Sequence, residues 1–241
     1  LKSIQFVVAG AEKSPQTLRD RWEREADCQY LEGYGLTETS PAISFNLPAS
    51  GKKSGSVGRL LPDIECRTVD PESGDITPLE DGGILCFRGP NIFAGYWQDA
   101  ERLNKVLDEN GWFKTGDLGR LDGDGFLWIE GRSSRFSKIG GEMIPHGRVE
   151  EEISELFGIC TTDDPMVVVS AVENDQKGES LIVLCSFKCD LNYIREGLRN
   201  RGLPNLWIPK ELLLVDAIPI LQTGKINWAK VKSYVSARNQ T

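Results

Sequence analysis

The chain has 241 residues, room for one large or two modest domains, and its 39% apolar and 27% charged content fits a soluble globular protein. Twenty-eight Lys and Arg against 36 Asp and Glu leave a net charge of −8, which argues against a protein built to grip a nucleic-acid backbone. No apolar run reaches the ~20 residues of a membrane helix, and Leu1 opens no signal-peptide pattern.

In chain order, Ile4 to Ala9 reads as a buried strand ending at Gly10. With no initiator Met and an opening in mid-strand, the chain reads as a fragment of something longer. Pro15 to Ala26 predicts a helix with Ser14 as N-cap, Pro15 at its first position and Leu18, Trp22 and Ala26 on one face. A short strand at Gln29-Tyr30-Leu31 leads into Gly33-Tyr34-Gly35-Leu36-Thr37-Glu38-Thr39. Strand, helix, strand and Gly-rich turn form an α/β pattern with a site at a strand's carboxyl end.

From Gly55 to Ile129 short β-rich runs alternate with Gly, Pro and Asp turns about every ten residues, the spacing of a small barrel or sandwich. Within it, Ser56 to Gly58, Ile64 to Val69, Gly83 to Arg88, Gly116 to Leu121 and Gly125 to Ile129 read as strands, and Ala100 to Leu107 as a helix. Asp122-Gly123-Asp124-Gly125 is a hairpin signal. Beyond Gly131-Arg132 the pattern becomes α+β. Helices are expected at Gly147 to Leu156, Leu191 to Asn200 and Asn227 to Val235, and strands at Met166 to Val172, Leu181 to Phe187 and Glu211 to Val215. The expected division is therefore residues 1–131, comprising an α/β segment 1–54 and a β-rich part 55–131, and residues 132–241.

Six cysteines stand at 28, 66, 86, 160, 185 and 189 without a CxxC pair, and several lie in apolar runs. They read as buried reduced thiols of a cytosolic protein rather than as a zinc site. His146 is the single histidine, has no nucleophile elbow beside it, and reads as structural or exposed.

Several segments suit one ligand. In the Gly33 to Thr39 turn the glycines permit close backbone approach, Tyr34 offers a flat face, Thr37 a hydroxyl for a phosphate oxygen and Glu38 a hard oxygen for Mg²⁺. Asp117 in Thr115-Gly116-Asp117 can accept hydrogen bonds from two neighbouring hydroxyls, as a ribose presents them. Lys225 in Thr223-Gly224-Lys225 can set its charge on a phosphate. Read singly, these residues have plainer roles as a surface carboxylate, a turn cap and a loop charge; their combination favours a nucleotide.

Taken in order, Gly10-Ala11-Glu12, Tyr34 to Glu38, Gly89 to Tyr96, Thr115-Gly116-Asp117, Gly131-Arg132 and Thr223-Gly224-Lys225 resemble the adenylate-forming superfamily of acyl-CoA synthetases, peptide-synthetase adenylation domains and luciferases. The resemblance spans essentially the whole chain. Val8 to Lys13, Leu31 to Gly35, Gly58 to Pro62, Arg135 to Ile139 and Gly141 to Ile144 look closest to its bacterial acyl-acyl carrier protein synthetase branch, in which the ligase is fused to a 2-acylglycerophosphoethanolamine acyltransferase. The resemblance implies the C-terminal part of a large adenylating domain, a strand-helix layer plus a small β-barrel, followed by a small mobile α+β domain.

It also implies roles. Gly10, Ala11 and Tyr34 would line the adenine of ATP or AMP, with Glu12 and Gly35 beside them. Thr37 would touch the α-phosphate, Glu38 hold Mg²⁺, and Asp117 and Arg132 bind the ribose hydroxyls. Lys225 would stabilise attack of a fatty carboxylate on the α-phosphorus. A rotation at Ser134 would then present Lys138, Gly140 and Gly141 to the thiol of coenzyme A or acyl carrier protein. Phospholipid reacylation through a linked acyltransferase, using a lysophospholipid at the cytoplasmic face of the membrane, is the implied setting.

Two departures bear on this. Ser134 stands where the family often has Asp or Lys, and the family's Ser/Thr/Gly-rich phosphate loop is not in these 241 residues. The chain alone is accordingly expected to bind AMP weakly and not to turn over. The alternatives are an amino- or aryl-acid adenylation domain, and a docking module in which Arg132, Arg135, Lys138 and Arg148 form a basic patch for an acidic carrier protein.

Overall fold

The structure, a computed structural model, describes residues 3–12, 14, 16–26, 28–48, 51–159, 165–174 and 178–238. Lys13, Pro15 and Cys160 lie outside the described residues. The backbone divides into two compact units, Leu1–Ser133 and Ser134–Thr241.

In the first unit, β1 (Phe6–Ala9) and β2 (Gln29–Tyr34) pair in parallel, with Val7 opposite Tyr30 and Ala9 opposite Glu32. A parallel pair needs a crossover, and α1 (Gln16–Ala26) supplies it. After one helical turn at Thr37–Thr39, β3 (Ser44–Phe45) returns antiparallel to β2, and β4 (Arg59–Leu60) pairs with β3. The chain then builds a five-stranded antiparallel sheet. Its strands are β5 (Glu65–Val69), β6 (Ile76–Thr77), β7 (Gly83–Arg88), β8 (Phe113–Leu121) and β9 (Leu127–Arg132), in the order β6-β5-β7-β8-β9. Helix α2 (Ala100–Val106) precedes β8 and is capped by the Asp99 carboxylate on the Arg102 N–H. Ile43, Leu85, Phe87 and Leu127 form the buried core, joined by Tyr34, Val57 and Ile129.

Four expectations need correction. The β-rich part is an open sheet and not a barrel: the β9 side is taken by an Arg59–Phe126 bridge to β4, and the other edge is the two-residue β6. Ser56 to Gly58 is not itself a strand, although the Val57 N–H donates to the Leu127 carbonyl at 2.9 Å and the Leu127 N–H to the Gly58 carbonyl at 2.8 Å; the strand begins at Arg59. Strand β1 is not buried throughout, since Phe6 and Val8 are 52% and 57% exposed. On α1 the inward residue is Arg19 rather than Leu18, because its guanidinium finds Glu32 at 3.2 Å and the Ser14 carbonyl at 2.6 Å. Ser14 Oγ bonds Tyr30 Oη at 2.8 Å.

In the second unit, β10 (Phe136–Ile139) and β11 (Glu142–Pro145) form a hairpin through Gly140-Gly141. Then come α3 (His146–Leu156), β12 (Val167–Asn174), β13 (Gly178–Cys185), α4 (Leu191–Asn200), β14 (Glu211–Leu214) and α5 (Trp228–Ala237). Strands β12 and β13 pair antiparallel, β13 and β14 parallel. The sheet is apolar on both faces. One packs α3 and α4 through Val149, Ile153, Ile194 and Leu198; the other packs α5 through Val231 and Val235. Asp190 caps α4 by accepting from the Asn192 and Tyr193 N–H groups. Cys28, Cys86 and Cys185 are buried and free, while Cys66 and Cys189 are half-buried. Burial pushes the Cys66 thiol up to about 12.

Candidate nucleotide site

Asp117, midway along β8, stands directly opposite Arg132, the last residue of β9. Cross-strand placement puts the two side chains on one face. Arg132 Nε lies 3.2 Å from Asp117 Oδ1. From the end of β2, Tyr34 Oη donates to Asp117 Oδ2 at 2.5 Å, and the Asp117 N–H donates to Thr115 Oγ1 at 2.9 Å. Burial raises the Asp117 carboxyl, against the hydrogen bond from Tyr34 and the charge of Arg132. Burial and then the Asp117 charge push the Tyr34 phenol far above its usual range, so it stays protonated and donates. A carboxylate has about four acceptor sites, so one bonded to Tyr34 and Arg132 can still receive two hydroxyls.

These residues border a cleft of about 250 Å³ within the first unit, walled by Ala11, Glu12, Tyr34, Gly35, Asp117 and Arg132. Gly35 has a steric reason: a Cβ there would stand 1.9 Å from the Pro41 carbonyl oxygen. Gly10 is packed behind this wall, its missing Cβ 3.2 Å from the Gly33 carbonyl oxygen. Ala11 takes a left-handed φ of 70°, a conformation that costs a residue with a side chain and recurs at functional sites. Glu32, Val57, Ile129 and Glu130 also line the cleft and were not singled out in the sequence. The alternation of β9 puts Ile129 and Gly131 two apart, which was the available signal.

Thr37 and Glu38 occupy the helical turn that follows Gly35 and are not part of the cleft wall. Thr37 is exposed. Glu38 is held twice by one segment: its carbonyl accepts from the Phe93 N–H at 2.9 Å, and its Oε1 accepts from Tyr96 Oη at 2.8 Å. The buried Thr39 fixes the turn, with Oγ1 accepting from the Leu36 N–H at 2.9 Å and donating to the Leu36 carbonyl at 3.0 Å. Among the described residues no cluster of three His, Cys, Asp or Glu stands ready for a metal. A lone half-buried carboxylate nonetheless fits Mg²⁺, which commonly takes one or two carboxylates and fills its shell with water and phosphate.

The remaining residues belong to the second unit. Lys225 is exposed on a tight turn closed by the Leu221 N–H donating to the Lys225 carbonyl at 2.7 Å and by an Ile220–Ile226 bridge. Lys138 is exposed on β10, its backbone N–H donating to Glu179 Oε2 at 2.9 Å. Gly140 and Gly141 form the hairpin turn next to it, and Ser134 is exposed in a helical turn, Ser133–Arg135. Three of the four cations expected to make a docking patch are paired: Arg135, half-buried, with Glu150, Arg148 with Glu151 and Glu152, and Arg132 with Asp117.

Residues 1–97 match the family described as AMP-binding enzyme. The chain is 30% identical to the indoleacetate–CoA ligase of Aromatoleum aromaticum over 99% of its own length and 46% of that protein. It is likewise 30% identical to a long-chain-fatty-acid–CoA ligase of Escherichia coli O157:H7, over 93% of this chain and 39% of that one. Among solved structures, ATP-bound MatB of Rhodopseudomonas palustris superposes with a TM-score of 0.76 at 27% identity, covering 94% of this chain and 44% of that one. The o-succinylbenzoate CoA synthetase of Bacillus subtilis with its acyl-adenylate intermediate gives 0.77 at 26%, covering 96% and 46%. These findings group the chain with the AMP-binding, adenylate-forming superfamily. Its mixed α/β fold aligns with part of those enzymes, and it spans less than half the length of the relatives it matches.

Proposed function

We propose that the whole protein is an acid–thiol ligase that activates a fatty acid with ATP and passes the acyl group to a phosphopantetheine thiol. The observation that carries this is the Tyr34–Asp117–Arg132 group on the cleft. A buried carboxylate, aimed by a phenol and an arginine at a cleft edge, is an acceptor for a vicinal diol such as the ribose of AMP. The acyl-CoA ligase relatives support the acid and the thiol.

On this reading the carboxylate oxygen of the acid attacks the α-phosphorus of ATP, the bond to the β-phosphate oxygen breaks, and pyrophosphate leaves. Lys225 sets a positive charge against the α-phosphate as negative charge builds there. Thr37 would give its hydroxyl to an α-phosphate oxygen, and Glu38 would hold Mg²⁺, which when bound would neutralise phosphate charge. In the second half-reaction the thiol sulfur attacks the acyl carbon, its proton passes to solvent, and AMP leaves. Rotation at Ser134 would exchange Lys225 for Lys138, Gly140 and Gly141 between the two steps, one cleft serving both. Coenzyme A and a carrier protein present the same pantetheine arm; the segments resembling the acyl carrier protein synthetase branch favour the latter and a linked reacylation of lysophospholipid. Indoleacetate in one relative's name favours an aryl acid as the second reading.

Calorimetric titration with AMP and with a non-hydrolysable acyl-adenylate analogue tests the site. Asp117→Ala is expected to weaken both roughly 10- to 100-fold, the range for losing hydrogen bonds to a charged group. Equal binding by wild type and Asp117→Ala would sink the ribose assignment. Acyl- and aryl-adenylate analogues compared in the same titration separate the two acid classes.

A further inference from the structure

Arg135 follows Ser134 and carries an unusual load for a surface-facing turn. Its Nη1 donates to the Val169 carbonyl at 2.8 Å, and its Nη2 to Glu150 Oε2 at 2.6 Å. The other oxygen of Glu150 accepts from the Val169 N–H at 2.6 Å. Strand β12 is an edge strand, paired with β13 on one side. The ion pair therefore takes the place of a missing neighbour, satisfying both backbone groups of Val169. Both side chains are largely buried, at 15% and 17% exposure.

The flat face of the same guanidinium lies 3.9 Å from the ring centre of Trp228. Trp228 opens α5 three residues after Lys225, and it packs against the core formed by Val231, Val235 and Ile218. Between them, the Asn227 N–H donates to the Pro219 carbonyl at 2.8 Å and so closes the base of the Lys225 turn. A continuous chain of short contacts thus runs from residue 135 to the Lys225 turn, all inside the second unit.

We infer that Arg135 and Trp228 are positioning residues for Lys225: they fasten its turn to the segment beside Ser134, so that a displacement at Ser134 reaches Lys225 without slack. This rests on the function proposed above. It predicts a selective defect. Loosening the clamp harms the half-reaction that uses Lys225 and spares the one that does not, whereas a merely structural pair would lower both together.

The test uses the whole protein that carries this chain. Pyrophosphate–ATP exchange reads adenylate formation, and thioester formation from supplied acyl-adenylate reads the second step. Trp228→Leu leaves the Arg135–Glu150 pair in place and is expected to lower the kcat of exchange about tenfold with the KM for ATP within about twofold. Thioester formation should stay within about twofold, and Trp228→Phe should restore exchange. Arg135→Lys, which keeps a charge for Glu150 but gives up the flat stack, carries the same expectation should Trp228→Leu fail to fold. Parallel loss of both half-reactions, or unchanged exchange, overturns the inference. No exchange by the wild-type protein overturns the function itself and the inference with it.

Discussion

His146 illustrates how one residue's surroundings fix its chemistry. It is buried at the first position of α3, and Ser137 Oγ lies 2.7 Å from its Nε2. Burial, assisted by the nearby Arg135 charge, lowers its pKa to about 3 from an ordinary 6.5. The imidazole is therefore a neutral packing group, in line with its reading as structural. In the unfolded chain it would take a proton below about pH 6.5, while in the native state it would not until about pH 3. Over that window the unfolded state binds more protons, so stability falls as pH falls, by up to about 1.4 kcal/mol per pH unit. Urea melts at pH 7 and pH 5 should differ by about 2 kcal/mol from this group alone, and His146→Asn should remove that difference. An identical pH dependence in the variant would refute the assignment. Asp117 obeys the same rule of burial, but its raised carboxyl has Tyr34 and Arg132 pulling it back toward ionisation.

At the scale of elements, the strands of the first unit are held by close backbone approach as much as by side chains. Gly58 shows it: at φ 84°, a Cβ would stand 1.8 Å from the Phe45 carbonyl carbon. Neither atom belongs to a flexible side chain, so relief requires separating β3 from the segment before β4. Gly58→Ala should cost about 3 kcal/mol or more, by strain and overpacking together; a melting shift too small for 1 kcal/mol would contradict it. Much at this scale was legible. Strand β7 and helix α4 fall at the residues expected, because each has a one-period pattern bounded by turn or cap residues. The inward face of α1 was not legible, because what draws Arg19 in is Glu32, 13 residues away. The β10–β11 hairpin was hidden in a Gly-Gly segment noticed only for its ligand. The site divides the same way. Asp117 and Arg132 announce themselves through motif and spacing, whereas Tyr34 reaches Asp117 across 83 residues and Tyr96 reaches Glu38 across 58. No local pattern encodes such meetings.

Across the whole molecule, each unit closes its own core. The second has apolar layers on both faces of β12–β13–β14, with Val168, Val183 and Leu184 fully buried. That is the arrangement of a domain able to fold alone. Residues 134–241 produced separately should melt in one cooperative transition, followed by circular dichroism; a gradual, featureless loss of signal would contradict it. No helix among the described residues is long and apolar enough to cross a membrane.

The stack of Arg135 on Trp228 also makes the molecule visible to light. Six indoles are present, and they sit in very different places. Trp97 is 87% exposed, where dissolved iodide can collide with it; Trp228 is half-buried with a cation against its face. With Trp97→Phe removing the solvent-exposed emitter, a change in the remaining fluorescence that Trp228→Phe abolishes would report the loosening of one turn in real time. The residue that steadies the lysine would then also be its built-in probe.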